Sequence, residues 1–245
     1  TEIYTLSLHD ALPICQHLSN SALRATRPVV CKRQAIIMAG MNQSILYLGD
    51  DHLGGAAAYL AGVMTHAKLP FEHVRSDQPA TGQLLSDRAC VIISDYPATN
   101  WSADAMDTLV KQVASGVGLL MIGGWESFTG LGRHYTDTPL ASTLPVSMVD
   151  SGDDRVNSDQ PVIIECLTEH PITAGLPWDR PPHIGGYNRL TAKHNTATLL
   201  NLRQINVLHR GGKIDLQVRS TRPLPGVGQH RRGRTAALGT HVGPP

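Results

Sequence analysis

The sequence has few aromatic residues, few charged residues and almost no net charge. Aromatic residues make up only 4% of its 245 residues and charged residues 17%, and the 21 Lys and Arg nearly balance the 20 Asp and Glu. This near-zero net charge gives no electrostatic reason to expect nucleic acid or an anionic membrane as a partner. No apolar run approaches the roughly 20 residues of a membrane-spanning helix.

Cysteine is also scarce, and its spacing fits neither a disulfide framework nor a zinc motif. The four cysteines are Cys15, Cys31, Cys90 and Cys166. The chain also lacks a complete glycine-rich dinucleotide or phosphate motif and a His-Glu-x-x-His motif. The sequence therefore predicts no cofactor and no metal ion, and a reducing, cytoplasmic location.

The two ends of the chain differ from its middle. Residues 1–14 have neither the basic nor the apolar stretch of a secretory signal and resemble translated sequencing-adapter DNA. We predict that residues 1–40 are non-native or disordered and that residues 41–245 form one domain. The Arg-rich stretch His209–Arg234 lacks aromatics for stacking bases and is predicted to be solvated or damaged sequence. Because no helix follows the last predicted strand, Arg234–Val242, we expect a domain truncated at its C-terminus.

Strands and helices alternate between residues 44 and 124. Short apolar runs predict buried strands, and amphipathic or Ala-rich segments predict helices. The predicted strands are Ser44–Gly49, Phe71–Arg75, Ala89–Tyr96 and Val117–Gly124, and the predicted helices are Ala56–Lys68 and a segment ending at Ser115 that is capped by Ser102 and Gly116. This alternation predicts an α/β fold with a doubly wound, mainly parallel sheet and helices on both faces.

After Thr129 the sequence becomes turn-rich, which predicts an insertion near the strand ends. Short strands are predicted at Pro161–Cys166, Ala197–Leu202, Ile205–His209 and Thr235–Thr240. We find no second core large enough for an independent domain. The insertion also carries His183 and Asn188, which we expect to reach the strand ends.

Ligands of parallel α/β sheets bind beyond the carboxyl ends of the strands. This rule selects Asp50, Asp51 and His52 after the first strand, Asp95 after the third, and Trp125, Glu126 and Ser127 after the fourth. Carboxylates that meet in a partly dry crevice form either an acid–base pair or a hard-cation site. The alternative is that the aspartates only cap turns and that the Trp125 ring fills the space of a substrate.

Five segments of the sequence carry a family resemblance. They are Ile45–Asp51, Gly123–Gly130, His170–Ile172, His183–Asn188 and Gly233–Leu238. On these segments the chain, from about Ser44 to Val242, resembles the class I glutamine amidotransferase-like superfamily. Within it, the chain resembles a bacterial group called "putative glutamine amidotransferase", related to trehalose-utilisation-like proteins. The resemblance implies a flavodoxin-like sheet and leaves a homo-oligomer open.

The nucleophile of that superfamily is missing from its expected place. Class I amidotransferases carry a cysteine in a tight strand-to-helix turn, where a histidine activates the thiolate. Here that turn holds Trp125 and Glu126, and no His-x-Glu pair follows at His170 or His241. We therefore predict a family member that lacks this cysteine and binds a small polar molecule. Its predicted ligand-binding residues are Asp50, Asp51, Asp95, Trp125, Ser127 and Asn188.

Two alternatives stay open, so the sequence does not decide whether the protein is an enzyme. The first is a hydrolase or lyase in which Glu126 acts as acid or base with His52 or His183 as partner. The second is an active glutamine amidotransferase or glutaminase that uses a displaced cysteine. Cys90 is expected to be a core residue, and Cys166 is expected on a strand, away from His170.

Overall fold

The computed structural model describes residues 43–132, 134–224 and 226–241, which form a six-stranded, mainly parallel sheet, a four-stranded antiparallel sheet and a two-stranded antiparallel sheet. The predictions for residues 1–40 fall outside this part of the chain. The strands are β1 (Ser44–Gly49), β2 (Phe71–Val74), β3 (Arg88–Ser94), β4 (Gly118–Ile122), β5 (Val146–Ser147), β6 (Arg155–Cys166), β7 (His183–Asn188), β8 (Thr191–Ala192), β9 (Leu200–Arg210), β10 (Lys213–Leu224), β11 (Val227–His230) and β12 (Gly233–Leu238). The α-helices are α1 (Ala58–His66), α2 (Ala103–Ser115) and the single turn α3 (Leu140–Thr143).

The central sheet has six strands in the order β11-β12-β4-β3-β1-β2. All of them run parallel except β11, which forms a hairpin with β12. The mixed α/β architecture and mainly parallel sheet predicted from the sequence are thereby confirmed. The inner strands are nearly continuous apolar runs because both of their faces are covered.

Alternating side chains of these strands pack into two separate apolar clusters. Leu48, Ile93 and Met121 pack with Leu109 and other residues of α2 in the larger cluster. Tyr47, Ile92 and Ile122 form the smaller cluster with Met64 of α1. Because successive residues of a strand point to opposite faces, α1 and α2 cover opposite sides of the sheet.

The ends of α2 follow the predicted signals. Its N-cap is Ser102, whose hydroxyl donates to Asp104 Oδ1 and accepts no N–H of the helix backbone. At its other end Gly116 has a φ of 127°, a conformation that favours glycine. Helix α1 begins two residues later and ends two residues earlier than the predicted Ala56–Lys68.

The turn-rich part of the sequence contains more regular structure than predicted. Strands β10-β9-β6-β7 form an antiparallel sheet around a small cluster that includes Val162, Leu202 and Leu224. The predicted break between two strands near Arg203 is wrong, since β9 is continuous and Arg203 lies opposite Ile163 of β6. The Arg203 guanidinium also forms an ion pair with Glu165 of β6, with N–O distances of 2.7 and 2.8 Å. The basic stretch His209–Arg234 contains all of β10 and all of β11.

No helix in the part of the chain that the structure describes is long and apolar enough to cross a membrane.

A buried tyrosine links the loops that follow β3 and β4. The Tyr135 hydroxyl accepts a hydrogen bond from Trp101 Nε1 (3.0 Å) and donates one to the carbonyl oxygen of Tyr96 (2.7 Å). A Tyr135→Phe variant leaves both groups without this partner in the core. We expect it to lower the free energy of unfolding by about 1–3 kcal/mol, measured by urea denaturation. An unchanged midpoint would show that other groups replace these two bonds.

Candidate functional site

The parallel strands β1, β3, β4 and β12 all end at one edge of the central sheet. Asp50 follows β1, Asp95 follows β3, Trp125 lies three residues after β4, and His241 lies three residues after β12. The structure thus brings together strand ends that are far apart in the sequence. This edge is the one at which ligands of parallel α/β sheets bind.

Gly124, two residues after β4, allows the loops that follow the neighbouring strands β3 and β12 to approach one another. A Cβ atom on Gly124 would lie 2.6 Å from Asp95 Oδ1, a separation that real Cβ contacts do not show. Because β4 lies between β3 and β12 in the sheet, a bulky side chain here would separate Asp95 from His241. The glycines of this turn therefore leave space for the site.

The backbone holds Asp50 and Asp95 in the same unusual conformation. Their φ angles are 53° and 51°, in the left-handed region that Asp tolerates better than most residues. The Ser76 hydroxyl lies 3.0 Å from the carbonyl oxygen of Asp50 and 2.6 Å from that of Asp95. One side chain therefore connects the two turns and fixes their spacing.

Main-chain and phenolic donors orient the two carboxylates. The Tyr47 hydroxyl donates to Asp50 Oδ2. The Glu126 amide N–H donates to Asp95 Oδ1 over 2.5 Å. The Ser127 hydroxyl in turn accepts the amide N–H of Asp95 at 3.0 Å. Residues after β4 thus support the carboxylate that follows β3.

Burial dominates the electrostatics of the pair. It raises the pKa of the Asp50 carboxyl, and the bond from Tyr47 and the nearby Ser94 hydroxyl act in the opposite direction. Burial likewise raises the pKa of Asp95, and the charge of Asp50 raises it further, against the bond from Glu126. Positive charge on His241 lowers both pKa values. The site therefore favours a cation beside the carboxylates.

Three potential metal ligands converge at this point. One ligand atom each from Asp50, Asp95 and His241 lie within 4.8 Å of one another. Asp50 is buried, Asp95 half-buried and His241 exposed. The three potential ligands therefore extend from the protein interior to the solvent at this edge of the sheet.

A small cavity adjoins this cluster. It has a volume of about 80 Å³ and is lined by Gly124, Trp125, Arg155, Val156, Asn157, Gly186, Tyr187, Asn188 and His241. The Trp125 ring is 63% exposed, so it does not fill buried space. The Arg155 guanidinium lies 4.8 Å from the centre of that ring, at cation–π distance, and is held by Asp153.

A larger groove lies at the opposite end of the sheet. Its volume is about 530 Å³, and it is lined at the strand starts by Gln43, Arg88 and Val117 and by residues of α2 such as Lys111. Ligands of parallel α/β sheets bind at the carboxyl ends of the strands, not at these amino ends. We therefore take the smaller cavity as the candidate site.

Asn188 joins the antiparallel sheet to the turn after β4. Its Oδ1 accepts the Gly124 amide N–H at 3.1 Å, and its Nδ2 donates to Asp154 Oδ1 at 2.9 Å. Asp154 Oδ2 accepts the Thr129 amide N–H at 3.2 Å. Both Asn188 and Asp154 are buried. The predicted ligand-binding residue Asn188 therefore also positions the backbone of the site.

The other predicted residues lie in several places. Asp51 Oδ1 accepts the amide N–H groups of His52 (2.7 Å) and Ala56 (3.1 Å), so Asp51 orders the turn before α1. His52 is exposed and lies 3.7 Å from Asp51. His183 is exposed at the start of β7, in the other sheet, whereas Glu126 is half-buried in the turn after β4. Their predicted roles as acid, base or ligand stay predictions.

Sequence reasoning missed Tyr47, Arg155 and His241. The strand-end rule would select His241, which directly follows the predicted strand Thr235–Thr240, but only once that strand is known to lie parallel to β4. Tyr47 precedes Asp50 by three residues inside an apolar run and gave no separate signal. Arg155 lies in the segment read as an irregular insertion.

A family model described as "Putative glutamine amidotransferase" matches residues 66–245. No curated protein is significantly similar to the chain.

Several solved structures resemble the chain over most of its length. Cytoplasmic Protein STM3548 from Salmonella typhimurium is 23% identical, with a TM-score of 0.66 over 82% of this chain and 89% of that one. Cytoplasmic Protein STM1381 from Salmonella typhimurium LT2 is 26% identical, with a TM-score of 0.63 over 83% and 90%. A protein described as "Putative thua-like protein", from Bacteroides uniformis, is 15% identical, with a TM-score of 0.52 over 82% of each chain. These likenesses extend the similarity from the sequence to the fold.

Proposed function

The chain belongs to the family described as "Putative glutamine amidotransferase", and we propose that it binds a small polar molecule at the sheet edge instead of hydrolysing glutamine. The observation that carries this proposal is the turn after β4. An exposed indole, Trp125, and the carboxylate of Glu126 occupy it where the superfamily resemblance calls for a nucleophilic thiol. Hydrolysis of an amide through a thioester needs that thiolate within reach of its base.

The two cysteines in the described part of the chain are poor substitutes. Cys90 lies near the start of β3, at the opposite end of that strand from Asp95, and burial raises the pKa of its thiol to about 11. A thiol with so high a pKa is almost wholly protonated at neutral pH and reacts slowly. Cys166 ends β6 in the antiparallel sheet, with its Sγ 3.4 Å from the carbonyl oxygen of Thr168.

The cavity beside Trp125 suits a small molecule with polar groups and one apolar face. The exposed indole provides a stacking surface. Arg155 and His241 provide donors, and the exposed Asn157 provides both a donor and an acceptor. With a volume of about 80 Å³, the cavity holds only part of such a molecule, and the rest would lie against the exposed indole.

We also propose that the fold is flavodoxin-like and doubly wound. The parallel part of the sheet has the order β2-β1-β3-β4-β12, with the switch between β1 and β3. This is the strand order of flavodoxin-like sheets, in which ligands bind at that switch point. Asp50 and Asp95 follow those two strands.

The first test is ammonia release from glutamine by the full chain. We expect no release above the level of buffer and no effect of iodoacetamide, with a known glutaminase as positive control. Glutamine-dependent ammonia that iodoacetamide abolishes would overturn the proposal, because it would require an active thiol.

The second test screens a panel of small polar metabolites for binding, which is detected by tryptophan fluorescence and by thermal shift. For any molecule bound by the wild type, we expect Trp125→Ala to weaken affinity about 10-fold or more, since stacking on an indole contributes about 1–3 kcal/mol by analogy with bases. The matched control is Ile214→Ala on β10, which removes a similarly exposed apolar side chain in the other sheet. Equal affinity in Trp125→Ala and Ile214→Ala would contradict a role for the indole.

A further inference from the structure

The side chains of Asp50, Asp95 and His241 lie close together, and the proposed binding of a small molecule does not explain why. Carboxylate oxygen and imidazole nitrogen are ligands that Zn²⁺ and other divalent transition metals accept together. Around such an ion, ligand distances of about 2.0–2.2 Å place neighbouring donor atoms about 3–3.5 Å apart. Donor atoms that already lie within 4.8 Å of one another need only small side-chain movements to reach that spacing.

Asp50 supplies a second, independent observation. The residue is only 4% exposed, yet its Oδ1 is buried and has no hydrogen-bond partner among the described residues. Its other oxygen, Oδ2, is already engaged by Tyr47. A buried carboxylate oxygen without a partner is costly, and a bound cation removes that cost.

The surroundings of the cluster match those of metal ligands. Ligating carboxylates are commonly oriented by hydrogen bonds from the protein to the oxygen that does not bind the ion. Here the Tyr47 hydroxyl and the Glu126 amide N–H each engage one oxygen of Asp50 and Asp95. For Asp50, this leaves Oδ1 for an ion.

We infer that Asp50, Asp95 and His241 bind one divalent transition-metal ion, for which Zn²⁺ and Mn²⁺ are the probes. Three protein ligands leave coordination positions open. Because His241 also lines the cavity beside Trp125, an open position would be available to a carboxylate or hydroxyl group of a molecule in that cavity. The inference does not depend on the proposed function, since the metal alone is expected to bind.

The test is isothermal titration calorimetry of the chelator-treated full chain with Zn²⁺ and, separately, with Mn²⁺. We expect one ion per chain, and at least about 100-fold weaker binding in Asp95→Asn and in His241→Gln, because each variant removes a direct ligand. Asn at position 95 keeps an oxygen that can accept the Glu126 amide N–H, and His241 is exposed, so both variants are expected to fold. Tyr47→Phe should weaken binding by about 10–100-fold through the orientation of Asp50.

The matched control removes one exposed carboxylate and one exposed imidazole elsewhere, as Asp179→Asn with His194→Gln. It should bind the ion like the wild type. Absence of a one-to-one complex with either ion, or equal affinity in His241→Gln, Asp95→Asn and the control, would overturn the inference. The metabolite measurements with Trp125→Ala, repeated in chelator, judge the proposed function separately.

Discussion

A Gly49→Ala variant is expected to lose more than about 4 kcal/mol of folding free energy, or to fail to fold. Gly49 ends β1 with a φ of 126°, which side chains rarely permit. A Cβ atom there would lie 1.5 Å from the carbonyl oxygen of Ser94 at the end of β3. That oxygen also accepts the amide N–H of Asp50 at 2.9 Å, so neither strand end can move without breaking the turn. Circular dichroism and urea denaturation measure the loss.

The matched control is Gly62→Ala in α1. A Cβ atom on Gly62 has nothing within 4 Å, and alanine favours a helix over glycine by about 1 kcal/mol. The same chemical change should therefore raise the free energy of unfolding by about 0.5–1 kcal/mol. A Gly49→Ala protein with the wild-type unfolding midpoint would show that β1 and β3 can separate, and that the approach of Asp50 and Asp95 is not fixed by this contact.

The placement of Asp50 and Asp95 shows what local sequence could predict. Both follow apolar runs short enough for strands, and each run is succeeded by turn residues and a helix. Parallel order then requires the strand ends to lie at one edge. The structure has β1 next to β3 in that sheet, with Leu48 opposite Ile93, so the two carboxylates become neighbours.

His241 shows what local sequence could not predict. Its position depends on β12 pairing with β4, a contact between segments more than 100 residues apart in sequence. The intervening segment contains β10, in which Ile214, Leu216 and Val218 alternate with polar residues but are all more than half exposed, so this alternation marks no buried face. Without that strand, neither the antiparallel sheet nor the return of the chain to β4 can be recognised.

The turn after β4 depends on the same non-local structure. Gly124 donates to and accepts from Asn188, and Asn188 is held by Asp154 near the start of β6. The sequence pattern predicts that Asn188 binds a ligand, but it cannot show that the side-chain amide of Asn188 is already hydrogen-bonded within the protein. The part of the chain that resembled an irregular insertion thus holds the backbone on which the Trp125 side chain is presented.

An Asp154→Ala variant is therefore expected to lose roughly 3–5 kcal/mol of folding free energy. Asp154 is fully buried, and its two oxygens accept from Asn188 Nδ2 and from the Thr129 amide N–H. Removal of the carboxylate leaves both donors without this acceptor in the interior, each at a cost of about 1–3 kcal/mol. A small cavity adds to the loss. Urea denaturation followed by circular dichroism measures it.

The preceding residue provides the control, because Asp153 carries the same carboxylate in an exposed position. Its partner is Arg155, which lowers the pKa of Asp153 to about 2, and water screens this ion pair. Asp153→Ala should therefore cost only about 0–1 kcal/mol. If Asp154 acts through Asn188, the double variant Asp154→Ala with Asn188→Ala should lose about 0.5–3 kcal/mol less than the sum of the two single changes. Strict additivity, or equal losses at positions 153 and 154, would mean that the buried network does not hold the turn after β4.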